Sequence, residues 1–514
     1  MTRTSVFAPL STALRSSFRL SEGRGVNGAM AGGAVLLLAA ACWAPHLPAA
    51  LWLDETLTAW VIRDSFGETI DRTLNYQPQP GYYLFMWFWT RFFGVGEVAL
   101  RLPSLLAAVG ACFGLAHLGA RLTGDRETGW LAAIVLASTW NVYRESVDAR
   151  SYMLGLLVLI GLAICLVRWI DSGRWREAIA IGLLGAFLVN LHLFFALVFP
   201  ALVVYAGLRW SSGRADLRQA GCIVGLLALG GLLFLPVGLK LLEHGGSYSF
   251  VPMPTWSSLF GIFVWTAPTA GLLAGLALAG ILGGGGGTEE PQDEDDEVGD
   301  GVVTPRREVA ILLMLWVFVP LFILYAVSTL AGLSVFLGRY LIPAIPAVAI
   351  LYAMALRSIW AGPARIAAVL VLLLTSFVTN ERPPDDFRGA ARAVNEFVSG
   401  RNEVPVLFAS GLIEGEDENW LRDPGLADYL NAPTDYYPID GRLITLPRRL
   451  AGHSMTREIV EPVLDGRRRF AAVEWIGNGA RTLGWLIPRA ERAGYRVERR
   501  AFGGVRVAFF RPGA

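Results

Sequence analysis

The chain has 514 residues, 54% of them hydrophobic and 17% charged, and its mean hydropathy is +0.48. That is far more apolar side chain than a soluble core needs, and it places the chain in a bilayer. A formal net charge of +1 excludes a globally basic binder of nucleic acid and an acidic solubilising protein, so partners must be argued from sites.

Met1 to Arg24 is polar and arginine-bearing and leads into an apolar run beginning near residue 29. The segment that follows, WAPHLPAALWLDE, lacks a convincing small-residue cleavage site, so the run is expected to stay as an uncleaved first span. Further apolar runs begin near residues 98, 128, 151, 176, 192, 219, 257, 309, 334 and 363, giving about eleven spans by window length. Arg3, Arg15, Arg19 and Arg24 put the N-terminus on the cytoplasmic side, and arginines recur in alternate loops thereafter. Cys42, Cys112, Cys165 and Cys222 fall inside apolar runs and read as small buried hydrophobes.

Two joints decide the parity. Pro80 to Phe93 (PGYYLFMWFWTRFF) is apolar and aromatic but short, and reads as an interfacial helix on the outer surface. Ala178 to Leu208 is too long for one span and short for two, so the polar break at Asn190 and His192 is expected to divide it. Glycine-rich and then acidic sequence at 283–307 reads as a disordered cytoplasmic loop. The chain then divides into a tail (1–28), a membrane domain (29–380) with an outer loop at 50–97, and a charged, turn-rich segment (381–514). Short apolar strands at 405–408, 470–475 and 505–510, with helical patterns at 388–398 and 486–493, make that segment a small α/β domain, outside by an odd span count.

Candidate chemistry gathers in the outer loops. Asp54 and Glu55 (LWLDETLTAW) are two adjacent carboxylates at the membrane boundary, able to act as a general base or to bind a divalent cation. The plainer reading has Asp54 capping a helix that begins at Glu55. Glu145, Asp148, Arg144 and Arg150 lie in the next outer loop (YRESVDARSY), where charges beside hydrocarbon are paired locally or used. Arg339 interrupts an otherwise uncharged stretch, as a phosphate ligand or a snorkelling side chain. His192 alone is more in keeping with a satisfied core residue. Together, carboxylates and arginines at one face suit a lipid phosphate whose chain stays in the membrane.

Four stretches in order, LDE at 53–55, QPGYYLFMWFWTRFFGVGEVALRLPSLLAAV at 79–109, SVDARSYMLGLL at 146–157 and GRYLIPAIPA at 338–347, resemble the GT-C class of membrane glycosyltransferases. The likeness is to the branch of dolichyl-phosphate-mannose protein mannosyltransferases and the lipid A aminoarabinose transferase. It implies an α-helical polytopic membrane fold with an outward cavity, and transfer of a hexosyl or pentosyl group from a polyprenyl-phosphate donor, with inversion, to a lipid, glycan or protein acceptor. By resemblance Asp54 is the base, Glu55 helps hold acceptor or cation (Mg or Mn), Asp148 is the second acidic residue, and Arg150 and Tyr152 are its neighbours. Arg339, beside Tyr340, is the donor-phosphate contact, and His192 matches a histidine often found there. Relatives often carry a histidine or Pro-Pro before the Tyr-Tyr helix, where this chain has Gln79-Pro80-Gly81. A multi-pass protein of the inner membrane is expected; a transporter or flippase of lipid-linked sugars is the rival, disfavoured by the lack of an internal repeat or a mid-span acidic residue.

Overall fold

A computed structural model describes residues 33, 37, 39–243, 253–260, 266–283, 307–332, 334–359, 362–378, 385–450, 453–476 and 482–513. The start of the first expected span, the acidic loop and the expected domain boundary at 380–381 lie outside the described residues. After helical residues at 39–43 and a 3-10 turn (Ala44–His46), the membrane part continues with three short helices: α1 (Leu53–Ile62), α2 (Phe66–Asn75) and α3 (Pro80–Phe93). Long helices follow: α4 (Glu97–Thr123), α5 (Arg126–Ala137), a short α6 (Trp140–Ser146), α7 (Tyr152–Ser172), α8 (Trp175–Leu191), α9 (Phe199–Ser211) and α10 (Leu217–Glu243). The last are α11 (Thr266–Gly283), α12 (Arg307–Leu330), α13 (Ile345–Arg357) and α14 (Gly362–Val378).

Among the described residues five helical segments are long and apolar enough to cross a membrane: Glu97–Thr123, Tyr152–Ser172, Leu193–Ser211, Arg307–Leu330 and Gly338–Arg357. At the expected start near 257 there is a 3-10 turn (Trp256–Phe260), and the α-helix begins at Thr266.

Local sequence explains the boundaries that matter here. Gly124, at φ 78°, closes α4 with its N–H on the Ala120 carbonyl. Asp125 then caps α5 by accepting from the amides of Glu127 and Thr128. The two helices pack closely because Gly129 has no side chain: a Cβ there would stand 2.2 Å from the Ala116 carbonyl oxygen. At the other soft joint α8 stops at Leu191, His192 is extended (φ −167°, ψ 119°), and Pro200 stands in the first turn of α9. The chain therefore breaks where Asn190 and His192 signalled it. α3 spans the expected aromatic segment and leaves Phe88, Phe92 and Phe93 exposed.

Beyond residue 385 the chain forms a second layer. Helix α15 (Phe387–Val398) precedes strand β1 (Pro405–Ala409), and three short helices follow, α16 (Glu418–Arg422), α17 (Pro424–Leu430) and α18 (Ala432–Tyr436). Then come β2 (Arg442–Thr445), α19 (Met455–Asp465), β3 (Phe470–Trp475), α20 (Thr482–Arg492), β4 (Tyr495–Phe502) and β5 (Val505–Pro512). The sheet order is β2-β1-β3-β5-β4, with β2, β1 and β3 parallel and β5 antiparallel to β3 and β4. Alternate residues face opposite sides. Val406, Phe408, Val473 and Phe509 pack with α15, while Leu407, Phe470, Ala472 and Phe510 pack with α19 and α20. The expected strands are β1, β3 and β5; β2 and β4, both at edges, were not expected.

Candidate active site

The site is built on α1. Helix α1 starts at Leu53 with Trp52 as its N-cap, and the side chain that turns back to the cap is Glu55, which accepts from the Trp52 amide at 3.1 Å. The capping reading therefore falls on the other member of the acidic pair. Glu55 is wholly buried and faces Arg101 of α4, whose Nε and Nη2 reach its two oxygens at 2.6 and 2.5 Å. The Ala149 amide also donates to Glu55 at 2.8 Å. Arg101 spends its remaining donors on the carbonyls of Leu47, Ala49 and Ala50. Glu55 thus ties α1, α4 and the Asp148 loop together, and no oxygen of it is left over for a cation beside Asp54.

Asp54 points elsewhere. Its Oδ2 lies 3.1 Å from Arg339 Nη1 and 3.8 Å from Arg150 Nη2, and Arg150 also donates to the Asp54 carbonyl at 3.3 Å. Burial alone would push the Asp54 carboxyl up, but the charges of Arg150 and Arg339 outweigh it and hold the group below the ordinary carboxylate range. Asp54 is therefore ionised at neutral pH, on a side chain 17% exposed.

The neighbouring loop, α6 and its exit, brings the other predicted residues in. Asp148 accepts from the Trp52 indole at 2.8 Å. Burial and the nearby charges of Glu55 and Glu145 push its carboxyl well above the ordinary range. Glu145 is pushed up by burial as well; one of its oxygens is buried without a hydrogen-bond partner, while the other is 3.8 Å from Arg144. Gln79 accepts from the Ser151 hydroxyl at 3.0 Å. It is thereby committed to the loop that carries Arg150. Next to it, Gly81 lets α3 approach the end of α8: a Cβ there would sit 3.1 Å from the Asn190 backbone.

On the far side of Arg339 stand rings. His192 lies 4.9 Å from Tyr152 and 5.8 Å from Tyr340 between ring centres, and Phe194 lies 4.4 Å from Tyr340. The guanidinium of Arg339 is 5.7 Å from the Tyr340 ring centre. Buried polar atoms without a hydrogen-bond partner among the described residues cluster here: Tyr82 Oη, Arg150 Nε, His192 Nδ1, Arg339 Nε and one Glu145 oxygen. Leaving such groups unpaired costs about 1–3 kcal/mol each, so their concentration marks a place where a polar ligand or water completes the bonding. Structure thus brings together Asp54, Arg150, Arg339, Tyr152, His192 and Tyr340, and sets Glu55 apart with Arg101. Sequence reasoning passed over Arg101; its signal was a lone arginine inside the apolar run GEVALRLPSLLAAV.

The C-terminal domain grips the same helix. Arg63, just after α1, binds Asp428 and Asp435 at 2.7 Å each, and the Trp60 indole donates to Asp428 at 2.8 Å. Tyr437 accepts from the Leu51 amide at 2.9 Å and donates to Glu97 at 3.1 Å, and Gln77 donates to the Tyr429 hydroxyl at 2.8 Å.

Residues 77–239 match the family model of dolichyl-phosphate-mannose-protein mannosyltransferase. In fold, the chain is similar to ArnT from Cupriavidus metallidurans bound to undecaprenyl phosphate, at a TM-score of 0.51 and 12% identity, over 95% of this chain and 98% of that one. It is similar also to the apo state of the same ArnT, at 0.51 and 13%, over 94% and 98%. The chain has a GT-C-type fold. No curated protein sequence matches it. The family-model match takes in Gln79, α3, Arg101, Asp148, Arg150, Tyr152 and His192, while Asp54 and Arg339 lie outside it, before and after. Within the GT-C-type fold, then, the two residues that meet as an ion pair come from opposite ends of the membrane part.

Proposed function

We propose that this chain is a glycosyltransferase that moves a hexosyl or pentosyl group from a polyprenyl-phosphate donor to an acceptor hydroxyl at the outer face of the inner membrane. The carrying observation is the Asp54–Arg339–Arg150 cluster, an ionised carboxylate between two arginines amid unsatisfied buried polar atoms. The GT-C-type fold, seen in ArnT with undecaprenyl phosphate bound, supports a lipid phosphate as the partner of those arginines.

Arg339 and Arg150 take the donor phosphate. A guanidinium matches a phosphate in charge and in its forked donors, so the phosphate competes with Asp54 for Arg339. As Arg339 turns to the phosphate, Asp54 loses the partner that lowers its basicity. Donor binding itself thereby prepares the base. The acceptor hydroxyl gives its proton to Asp54 Oδ2 while its oxygen attacks the anomeric carbon, and the bond from that carbon to the phosphate oxygen breaks. Polyprenyl phosphate leaves with the electron pair, and the anomeric configuration inverts. Arginines fixed in a poorly solvated cavity stabilise the charge that gathers on the leaving phosphate. Asp148, whose carboxyl burial and the charges of Glu55 and Glu145 push well above the ordinary range, accepts a hydrogen bond from the Trp52 indole and holds its loop against α1.

The test is Asp54→Asn, assayed for sugar transfer from a polyprenyl-phosphate donor in proteoliposomes. A loss of about 100- to 10,000-fold is expected; undiminished transfer by the folded variant sinks the assignment.

A further inference from the structure

The starts of β1, β3 and β4 and the end of β5 all fall at one end of the C-terminal sheet. Six arginines gather there: Arg401 before β1, Arg467, Arg468 and Arg469 before β3, Arg496 in β4 and Arg511 in β5. Register sets their placement. Arg496 is paired directly with Arg511, and Phe470 is paired with Phe510, so Arg469, one residue back, stands level with Arg511. Three arginines therefore form a row across three neighbouring strands, whose backbones run about 4.8 Å apart. They share the face covered by α15, where the guanidiniums of Arg469 and Arg511 lie 5.5 and 5.1 Å from the Phe397 ring centre. Arg401 joins the row from the side: its amide donates to the Val398 carbonyl at 3.3 Å, and Arg469 Nη2 donates to the same oxygen at 2.8 Å.

Like charges directly opposite one another on a sheet are destabilising, and little here offsets them. Glu498 lies 3.1 Å from Arg511 but is shared with Arg500 at 2.8 Å. Arg401, Arg467, Arg468, Arg469 and Arg496 have no ion-pair partner among the described residues, and all but Arg469 are exposed. Burial, and then the charges of Arg401 and Arg511, hold the Arg469 guanidinium below its ordinary value. An edge strand carries charge to keep other strands away, which accounts for Arg496 on β4. It does not account for Arg469 and Arg511, whose strands lie inside the sheet. A local rule broken without compensation in the fold points to a partner that supplies it.

The surroundings select the partner. The chain enters this domain at the opposite end of the strands, where the Trp475 indole donates to Asp385 at 3.0 Å and the Asp386 amide donates to the Phe502 carbonyl at 3.1 Å. None of the six arginines makes a hydrogen bond or ion pair to the membrane part among the described residues. No large apolar side chain is exposed among the described residues of this domain. A protein interface takes its affinity from buried aromatic and apolar anchors, and a bilayer takes up an apolar face; this surface offers neither. It offers charge and forked donors in a row, which suit carboxylates or phosphates repeated along a hydrophilic chain.

We propose that this arginine row binds an acidic glycan, a polysaccharide bearing carboxylates or phosphates, away from the Asp54 site. The choice of a glycan among polyanions rests on the glycosyltransferase reading. A polymer held here stays tethered while its free end reaches the membrane part, which raises its effective concentration there.

The test uses the full chain in phosphatidylcholine nanodiscs, read by isothermal titration calorimetry in low and in physiological salt. The probes are polygalacturonate and a phosphorylated mannan, with dextran as the neutral glycan and poly-glutamate as an acidic peptide. At least one acidic glycan is expected to bind, more weakly as salt rises, and dextran is not. Arg467→Ser/Arg468→Ser/Arg496→Ser is expected to weaken that binding about tenfold or more. Arg489→Ser/Arg492→Ser/Arg499→Ser, which removes the same charge from the α20 side of the sheet, is expected to leave it within about twofold. The proposal is overturned if neither acidic glycan binds, if dextran binds as tightly, if the first variant keeps the parent's affinity or if the two variants weaken binding alike. Tighter binding of poly-glutamate than of either glycan would make the partner an acidic protein and overturn it too. So would loss of glycan binding in physiological salt on exchanging phosphatidylcholine for phosphatidylglycerol, since the row would then face the bilayer. Binding is read without turnover, and Asp54→Asn is expected to bind the glycan as the parent does; retained transfer by Asp54→Asn would overturn the reaction and leave this result distinct.

Discussion

Glu55 and Arg101 allow a prediction that separates a structural role from a catalytic one. Replacing Glu55 by Gln keeps an oxygen for the Ala149 amide but leaves the Arg101 guanidinium, 5% exposed, with no counter-charge. Removing one partner of a buried ion pair costs about 3–5 kcal/mol, because the other charge stays buried. At about 1.4 kcal/mol per factor of ten, that lowers the folded population ratio by roughly 100- to 4,000-fold. Arg101 also holds three carbonyls between Leu47 and Ala50, so the strand entering α1 loosens in Arg101→Ala. The double variant Glu55→Met/Arg101→Met is expected to be more stable than either single change, since it removes both charges together. The assay is thermal unfolding in detergent followed by intrinsic fluorescence, with sugar transfer measured at a temperature where each variant stays folded. Glu55→Gln should show a clearly lowered midpoint and, while folded, turnover within about tenfold of the parent. A normal midpoint with turnover lowered beyond about 100-fold would refute the argument and return Glu55 to the chemistry.

Further outcomes follow from the same geometry. Arg339→Lys keeps the charge but loses the fork, and is expected to raise the donor KM about tenfold or more with a smaller change in acceptor KM, measured by initial rates over donor concentration. Asp148→Asn keeps an oxygen for the Trp52 indole. In the parent the raised Asp148 carboxyl binds a proton when folded that it loses when unfolded, so its contribution to stability is present at acid pH and fades as pH rises through the unfolded and then the folded value. Thermal midpoints from pH 4 to 8 should therefore fall less for Asp148→Asn than for the parent. Asp54 has the opposite sign: its stabilising pairing is complete above the ordinary aspartate range and is lost as pH falls through the lowered folded value, which Asp54→Asn should abolish in a series carried on to pH values below the ordinary aspartate range. Gly129→Ala drives a methyl into the Ala116 carbonyl and is expected to cost about 1–3 kcal/mol or more, read as a lowered thermal midpoint with the site chemistry unchanged.

Several of these features were legible in the sequence for definite physical reasons. The aromatic run Pro80–Phe93 is bounded by Pro80 at its start and Gly94 at its end, so its length could be read directly. Asn190 and His192 announced a break because polar residues in a long apolar run rarely sit inside a spanning helix. The meeting of Asp54 with Arg339 was suggested only by both falling at one surface; 285 residues separate them, and no local pattern encodes that contact. The different fates of Asp54 and Glu55 were illegible for another reason. Adjacent residues on a helix point about 100° apart, so which carboxylate meets an arginine from α4 depends on how α1 rolls against its neighbours. Strand β4, YRVERRAF, is an edge strand in which four of eight residues are charged, and the adjacent Arg499 and Arg500 break the alternation that would have marked it. Strand β2 has four residues, too few to show a period.

The grip of Arg63 on Asp428 and Asp435 bears on how such a chain can be recombined. A C-terminal domain transplanted from a relative would bring its own residues to face Arg63, Trp60 and Leu51, and any mismatch would be felt one helical turn or two from Asp54. Swapping this domain therefore has a natural cut that is not the linker alone: residues 51–63 must travel with residues 428–437. A chimera joined only near residue 385 inherits a foreign surface under α1, whereas one that carries both segments keeps the helix in its native bed.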